Sequence, residues 1–441
     1  MTDWLALPFC SIAPQDDVAA ARSKWEARET CDFRREVRYF DFEANGKPFT
    51  QVAVQFIPEK PLLVEGKPIT IFTSEPGHDS AREFTEDDLG REGAGPWLAR
   101  RGVTVISTAR LGRWNLLSDD PLGSWETIPL DQRMPVFHRG QKEHWAESEF
   151  EVRDANGVSS PTGSAYCRVP RPGTALEGHM LALTPEVQMQ GFLLALEGCG
   201  VMAARQDTLL FYWGFSTGGA FLWPLAKKYA PDGILGFGMS NFAVSHYASR
   251  GFNGDHRWLY DRSSTRLRER NYTDFAYFSP DHTEEQRQLE WKLALRSARF
   301  KSFEDTFMFF NVAAQAESIA RLWQCDFLPE AVRARGFDRL LHSNLDLCFP
   351  DDSLRSVKVL ELSGTRDEIQ PPEVVSVAAS ITAPHCAHYQ TLFLEGLHHS
   401  IAADQVPVFC SIWLETIAQG QFAAPNSSTN PVTKAKELQH G

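Results

Sequence analysis

The chain is 441 residues long, 43% hydrophobic and 23% charged, with a formal net charge of −13. That length allows about two to three domains with ample core, and the acidic balance argues against nucleic acid or an anionic membrane surface as a partner. No stretch approaches the roughly 18 uninterrupted apolar residues of a membrane span, Met1–Pro8 lacks the basic start and apolar centre of a secretory signal, and the eight cysteines show no pairing rhythm, so the chain reads as cytoplasmic with reduced thiols.

In chain order, Glu36–Phe42 and Phe49–Ile57 alternate apolar and polar residues around Asn45-Gly46, which predicts an antiparallel hairpin as the opening element. Pro68–Thr73 reads as a short buried strand that ends at Ser74-Glu75-Pro76-Gly77-His78. A helix closing on Trp97–Arg101, capped by Gly102, and a strand over Val103–Ser107 come next, and this strand–helix–strand rhythm implies a parallel sheet. Between Arg110 and about Gly173 the rhythm stops. The segment reads as a long surface insertion near the functional end of the sheet, with a small hairpin over Glu149–Val158 turning on Asn156-Gly157. A helix from Pro185 to about Arg205 leads to Leu209–Phe215, a run of apolar residues entering Gly214-Phe215-Ser216-Thr217-Gly218. A helix-compatible stretch from Ala220 follows at once.

Such a strand, sharp turn and helix present a serine hydroxyl at the tip of a sheet, and Gly214 and Gly218 carry no Cβ to collide in the turn. A serine hydroxyl is a weak nucleophile at neutral pH and needs a base, which in turn needs an orienting acid. Further strands are expected at Gly233–Met239, Val357–Leu362 and Tyr389–Leu394, and helices at Glu284–Phe300, Ala313–Trp323, Pro371–Ser380 and Val406–Ile417. The last two strands each end in a polar segment. The first is Ser363-Gly364-Thr365-Arg366-Asp367-Glu368, and the second is Glu395-Gly396-Leu397-His398-His399. Asp367 is the candidate acid with Glu368 as its rival, and His399 is the candidate base with His398 as its rival or as a neighbour that lines the substrate site.

These residues resemble the α/β-hydrolase superfamily, in which a Gly-x-x-Asp step follows one late strand and a Gly-x-Gly-His step follows the last. Gly364–Asp367 matches the first, and Gly396–His399 matches the second with His398 in place of a glycine. The resemblance covers about residues 36–110, 185–243 and 355–420. It implies an α/β-hydrolase fold, a mostly parallel central sheet flanked by helices with an inserted helical cap, and a Ser216–Asp367–His399 triad that works without metal or organic cofactor. It also implies an oxyanion hole made by the backbone N–H of Thr217 and a second donor from the loop after the early strand. Pro76 has no N–H, which leaves Glu75, Gly77 or His78.

The expected organisation is a core over 1–243 and 356–420, a helical cap over 244–355, and a tail over 421–441 of disordered composition. The cap is dense in aromatic residues, among them Trp258 and Tyr260, which suits a bulky, partly apolar or aromatic small-molecule substrate. The expected reaction is hydrolysis of an ester or lactone. A carbon–carbon bond hydrolase, an aminopeptidase-like hydrolase and an acyltransferase would use the same three residues, and a non-catalytic binding protein is the alternative of a different class. His385-Cys386-Ala387-His388 lacks a second ligand pair and reads as a polar loop rather than a metal site. A homodimer is compatible with the sequence.

Overall fold

The computed structural model of the chain describes residues 7–75, 92–108, 111, 137–141, 147–153, 167–171, 173–183, 185–239, 283–285, 352–367, 372, 375–376, 379, 382–397 and 405–420. The strands in chain order are β1 (Cys10–Ile12), β2 (Phe33–Ala44), β3 (Lys47–Pro58), β4 (Leu63–Val64), β5 (Lys67–Glu75), β6 (Thr104–Thr108), β7 (Phe150–Arg153), β8 (Cys167–Pro170), β9 (Leu209–Phe215), β10 (Gly233–Phe237), β11 (Lys358–Gly364) and β12 (His388–Leu394). Among the described residues one large sheet runs β1-β12-β11-β10-β9-β5-β6-β3-β2, with β4 attached to β5 alone and β7-β8 forming a separate pair. From β1 to β6 every neighbouring pair on this path is parallel, β3 runs against both β6 and β2, and β4 runs against β5.

The Asn45-Gly46 turn forms as expected. Asn45 has φ 51° and Gly46 φ 70°, the two left-handed residues a tight hairpin needs so that its twist matches that of the strands. The resulting edge strand β2 carries Arg34, Arg35, Glu36, Arg38, Asp41 and Glu43 at exposed positions, which discourages pairing with a second edge.

The helices are α1 (Gln15–Glu26), α2 (Ala94–Ala99), α3 (Ala175–Ala182), α4 (Pro185–Gly198), α5 (Leu222–Lys228) and α6 (Val406–Ala418). Period-two alternation divides the core. On β9, Phe211, Trp213 and Phe215 join the cluster containing Trp25 of α1, Trp97 and Leu98 of α2, and Phe409 and Trp413 of α6. Leu210 and Tyr212 point the other way, into a cluster with Phe192 of α4 and Leu222, Trp223 and Leu225 of α5. The first face is an aromatic stack, with Trp213 edge-on to Trp413 at 4.4 Å and Phe409 5.1 Å from Phe237. Such ring pairs add to the area they bury.

The chain leaves β5 in one direction to β6, then returns past β5 to β9 and winds the other way. The connection through α2 lies on one face, and those through α4 and α5 lie on the opposite face. A crevice opens at such a reversal, at the carboxyl ends of the two strands flanking it. Here those ends are Glu75 of β5 and Phe215 of β9.

Several expectations need correction. The opening element is not the hairpin: β1 pairs with β12 at the far edge of the sheet, and α1 follows it. These three residues and their helix carried no clear period, and packing against β12 and α6 decides them. The helix from Pro185 ends at Gly198 rather than Arg205, and irregular turns continue to Asp207. In the insertion, β7 forms within the expected hairpin, but its partner is β8, with Arg153 opposite Cys167. The Asn156-Gly157 turn signal lies outside the described residues. Leu111 and Phe137, also from the insertion, pack with Phe49 of β3 and with Leu176, Ala182 and Val187. Since β3 runs against β6 with Ala53 opposite Thr108, Phe49 lies about four residues, or roughly 13 Å, past the carboxyl end of β6. The described part of the insertion is therefore anchored toward the crevice end. Of the expected cap, 283–285 are described, and the tail 421–441 lies outside the described residues.

Candidate active site

Strand β9 stays extended through Phe215 (φ −124°, ψ 136°), and Ser216 is the next residue, the first of a 3-10 turn over Ser216–Phe221 that runs into α5. The turn closes tightly. A Cβ on Gly214 would lie 2.6 Å from Leu222 Cδ1 and 2.9 Å from the Gly219 Cα. One on Gly219 would lie 2.8 Å from Met239 Cβ. The sequence pattern points to Gly214 and Gly218; the structure shows the close approach at Gly214 and a further one at Gly219. Glu75 pairs with Gly214 across a register irregularity in β5. Strand β5 therefore ends beside the serine turn. Gly77 and His78 themselves lie outside the described residues, while Thr217 is the second residue of the 3-10 turn.

Register carries the level of Ser216 across the sheet. Phe215 is opposite Phe237, Phe237 opposite Leu362, and Leu362 opposite Leu392. Strands β11 and β12 continue two residues further, to Gly364 and Leu394. Asp367 follows a short turn after β11 and is 3% exposed, with its N–H donating to the Gly364 carbonyl at 3.2 Å. An aspartate side chain so removed from water is unusual without partners that hold it.

The loops after β11 and β12 are joined. The Thr365 N–H donates to the Leu394 carbonyl at 3.0 Å, and the Arg366 N–H to the Leu397 carbonyl at 3.0 Å. In return the Gly396 N–H donates to Thr365 Oγ1 at 2.9 Å. Gly396 has φ 79°, a left-handed residue that turns the chain back toward β11, and Leu397 is buried at the end of that turn. His398 and His399 are the next two residues and lie outside the described residues, as do Glu368, Trp258 and Tyr260. The acid of the expected triad is thus described together with the loop that leads to its base. Sequence reasoning missed Thr365, the middle of the Gly-Thr-Arg-Asp step, because a hydroxyl that links two loops leaves no spacing signal in either.

Cys10, Cys31, Cys199, Cys386 and Cys410 are free thiols. Burial pushes Cys199 and Cys386 up to about 12 and Cys410 well above the ordinary thiol value, so they are protonated at neutral pH and poor nucleophiles. Another buried carboxyl, Glu361 on β11, accepts a hydrogen bond from the Tyr389 hydroxyl at 2.7 Å. Among the described residues no three His, Cys, Asp or Glu side chains gather as metal ligands, and no helix is long and apolar enough to cross a membrane.

No protein-family model and no curated protein matches the sequence. Several solved structures align with the chain. A bacterial membrane phospholipase A, described as a virulence factor, aligns over 93% of each chain at 12% identity with a TM-score of 0.40. A serine hydrolase from the polyaromatic hydrocarbon-degrading bacterium Cycloclasticus zankles aligns over 88% of this chain and 100% of its own, at 12% identity and a TM-score of 0.41. The 2-hydroxy-6-oxo-6-phenylhexa-2,4-dienoate hydrolase of a Rhodococcus species aligns over 88% and 99%, at 13% identity and a TM-score of 0.39. The antiparallel entry of β2 and β3, the reversal between β5 and β9, and the tight turn that leads from β9 into α5 give this chain the α/β-hydrolase fold.

Proposed function

We propose that the chain is a serine hydrolase that cleaves a carboxylic ester or lactone of a bulky, partly apolar substrate through an acyl-enzyme on Ser216. One observation carries this reading: the turn that begins at Ser216, the buried Asp367 and the loop leading to His399 all leave the same end of the sheet, at and beside its reversal point. Parallel strands lie about 4.8 Å apart, so β11 is about 10 Å and β12 about 14 Å from β9. A base on the β12 loop meets the nucleophile only by reaching back over β11 and β10, and the acid on the β11 loop lies on that path. The long loop after β12 would thus carry the imidazole back between the acid and the serine, giving the order Ser216, His399, Asp367 that the proton transfer needs.

In this mechanism Asp367 orients the imidazole of His399, which takes the proton from Ser216 Oγ as that oxygen attacks the acyl carbon. The Thr217 N–H and a donor from the Gly77–His78 loop stabilise the oxyanion. The imidazolium passes its proton to the leaving alkoxide. Water, deprotonated by the same imidazole, then releases the acid and restores the serine. The bulk of the substrate is argued from the aromatic density of 244–355, including Trp258 and Tyr260.

Two experiments test the reading. A fluorophosphonate probe is expected to label folded wild-type protein at Ser216, located by peptide mass spectrometry, and to leave Ser216→Ala unlabelled. 4-Nitrophenyl esters from acetate to dodecanoate are expected to show kcat/KM rising with acyl size. Absence of label on folded wild-type protein overturns the hydrolase reading, and a preference for acetate overturns the bulky substrate.

A further inference from the structure

The two loops that carry the acid and lead to the base are separate excursions from neighbouring strands, and nothing in the covalent chain keeps them in register. Parallel pairing of β11 with β12 ends at Gly364 opposite Leu394. Beyond that point three hydrogen bonds continue the connection: Thr365 N–H to Leu394 O, Arg366 N–H to Leu397 O, and Gly396 N–H to Thr365 Oγ1. The first two are backbone bonds that any residue would supply. Of these three, only the last depends on a side chain. It comes from the centre of the Gly364–Asp367 step and ends at the left-handed Gly396, three residues before His399. Gln15 also reaches this region, through its amide to Glu395 Oε2 at 2.9 Å, but that contact is exposed, where water competes effectively. Thr365 is half-buried.

We propose that Thr365 is a positioning residue, whose hydroxyl holds the acid loop against the base loop so that Asp367 meets His399 in one geometry. The proposal rests on the hydrolase reading for its kinetic consequence, but the latch itself does not. In this role Thr365 needs no contact with substrate or the reacting atoms. It acts through Asp367, and that dependence separates it from a residue that merely supports the fold.

Thr365→Val keeps the shape and removes the acceptor, leaving the Gly396 N–H without its partner. On a 4-nitrophenyl ester, the expected result is a fall in kcat of about five- to ten-fold, the worth of one net hydrogen bond, with KM unchanged. Thr365→Ser restores most of the rate. In an Asp367→Asn background the same Thr365→Val change is expected to cost nothing further, since the group it positions is already disabled. Thr365→Ala, lacking the same hydroxyl, gives a second route to this comparison, and all variants are assayed well below their own Tm. Wild-type kcat in Thr365→Val, or an undiminished loss in the Asp367→Asn background, overturns the positioning role. Hydrogen exchange at the Gly396 amide is independent of any activity. It is expected to be faster in Thr365→Val and restored in Thr365→Ser, and unchanged protection in Thr365→Val overturns the latch. Failure of the hydrolase reading looks different: folded wild-type protein leaves Ser216 unlabelled while the Gly396 exchange result still stands.

Discussion

Replacing Gly214 by alanine adds one carbon at the tightest place in the serine turn. That carbon lies 2.6 Å from Leu222 Cδ1, 2.9 Å from the Gly219 Cα and 3.1 Å from Met239 Sδ. Methionine and leucine side chains can rotate away, although Leu222 and Met239 are fully buried and have little room. The Gly219 Cα is backbone and moves only if the 3-10 turn moves with it. Overpacking of this kind costs about 1–3 kcal/mol, and the backbone contact puts Gly214→Ala at the upper end. Alanine also restricts the unfolded chain, which returns about 0.4–1 kcal/mol. The net loss is about 2 kcal/mol, which for a domain of a few hundred residues lowers Tm by about 4–8 °C. Because the turn has to shift, the rate of fluorophosphonate labelling at Ser216 is expected to fall as well, measured at 25 °C where the variant remains folded.

Gly46→Ala is the control for the stability term. It meets no atom within 4 Å but sits at φ +70°, so it carries the conformational cost alone, about 1–2 kcal/mol, and leaves the labelling rate at the wild-type value. Combining Gly214→Ala with Leu222→Ala separates the two contacts: removing Cδ1 relieves one of them, so the double variant is less destabilised than the sum of the singles. Wild-type Tm together with wild-type labelling in Gly214→Ala would refute the reasoning that close approach at this position shapes the serine turn.

Asp367→Asn is expected to lower kcat by about 10³–10⁴-fold with the fold intact, because an amide favours the wrong imidazole tautomer. Glu368→Gln is expected to stay near wild type, and the reverse ranking in steady-state kinetics would move the acid to Glu368. At the opposite end of the sheet's helical layer, Glu415 of α6 binds α1 through Lys24 Nζ at 2.7 Å and the Trp25 indole N–H at 3.0 Å. Burial alone would push this carboxyl up, but the hydrogen bonds from Lys24, Gln419 and Trp25 outweigh it and hold it below the ordinary glutamate value. A carboxyl lowered in the folded state contributes stability that is complete above its unfolded value, about pH 4.3, and is lost as pH falls through the folded value. Thermal melts of wild-type protein between pH 6 and 3 are therefore expected to fall more steeply than those of Glu415→Gln, and equal slopes would dismiss the contribution.

Much of this chain is legible locally. Asn45-Gly46 specifies its hairpin because only a few residue pairs tolerate two left-handed conformations in succession. Leu209–Phe215 announces a central strand because both of its faces are buried, one under α6 and the other under α4 and α5. The Gly-x-Ser-x-Gly step, the Gly-x-x-Asp step and the final Gly-x-x-His step are likewise patterns within a few residues. Each sits at or just past the end of an expected strand, and their order along the chain is enough to suggest the roles of Ser216, Asp367 and His399.

What the sequence could not show depends on partners far away in the chain. Cys10–Ile12 becomes a strand only because the β12 edge offers it hydrogen bonds. Strand β7 takes β8, with Arg153 opposite Cys167, as its partner, a pairing its own residues do not specify. The close approach at Gly219 arises from Met239, beyond α5 and β10. The latch at Thr365 exists because two loops emerge from adjacent parallel strands that end level with each other. Local conformational limits thus set the turns, the buried strands and the candidate catalytic residues, and these were readable from residue types and spacing alone. Strand order, edge pairing and the contacts that join one loop to another were decided by the tertiary structure, since each depends on the free energy of bringing together segments whose affinity neither one encodes by itself.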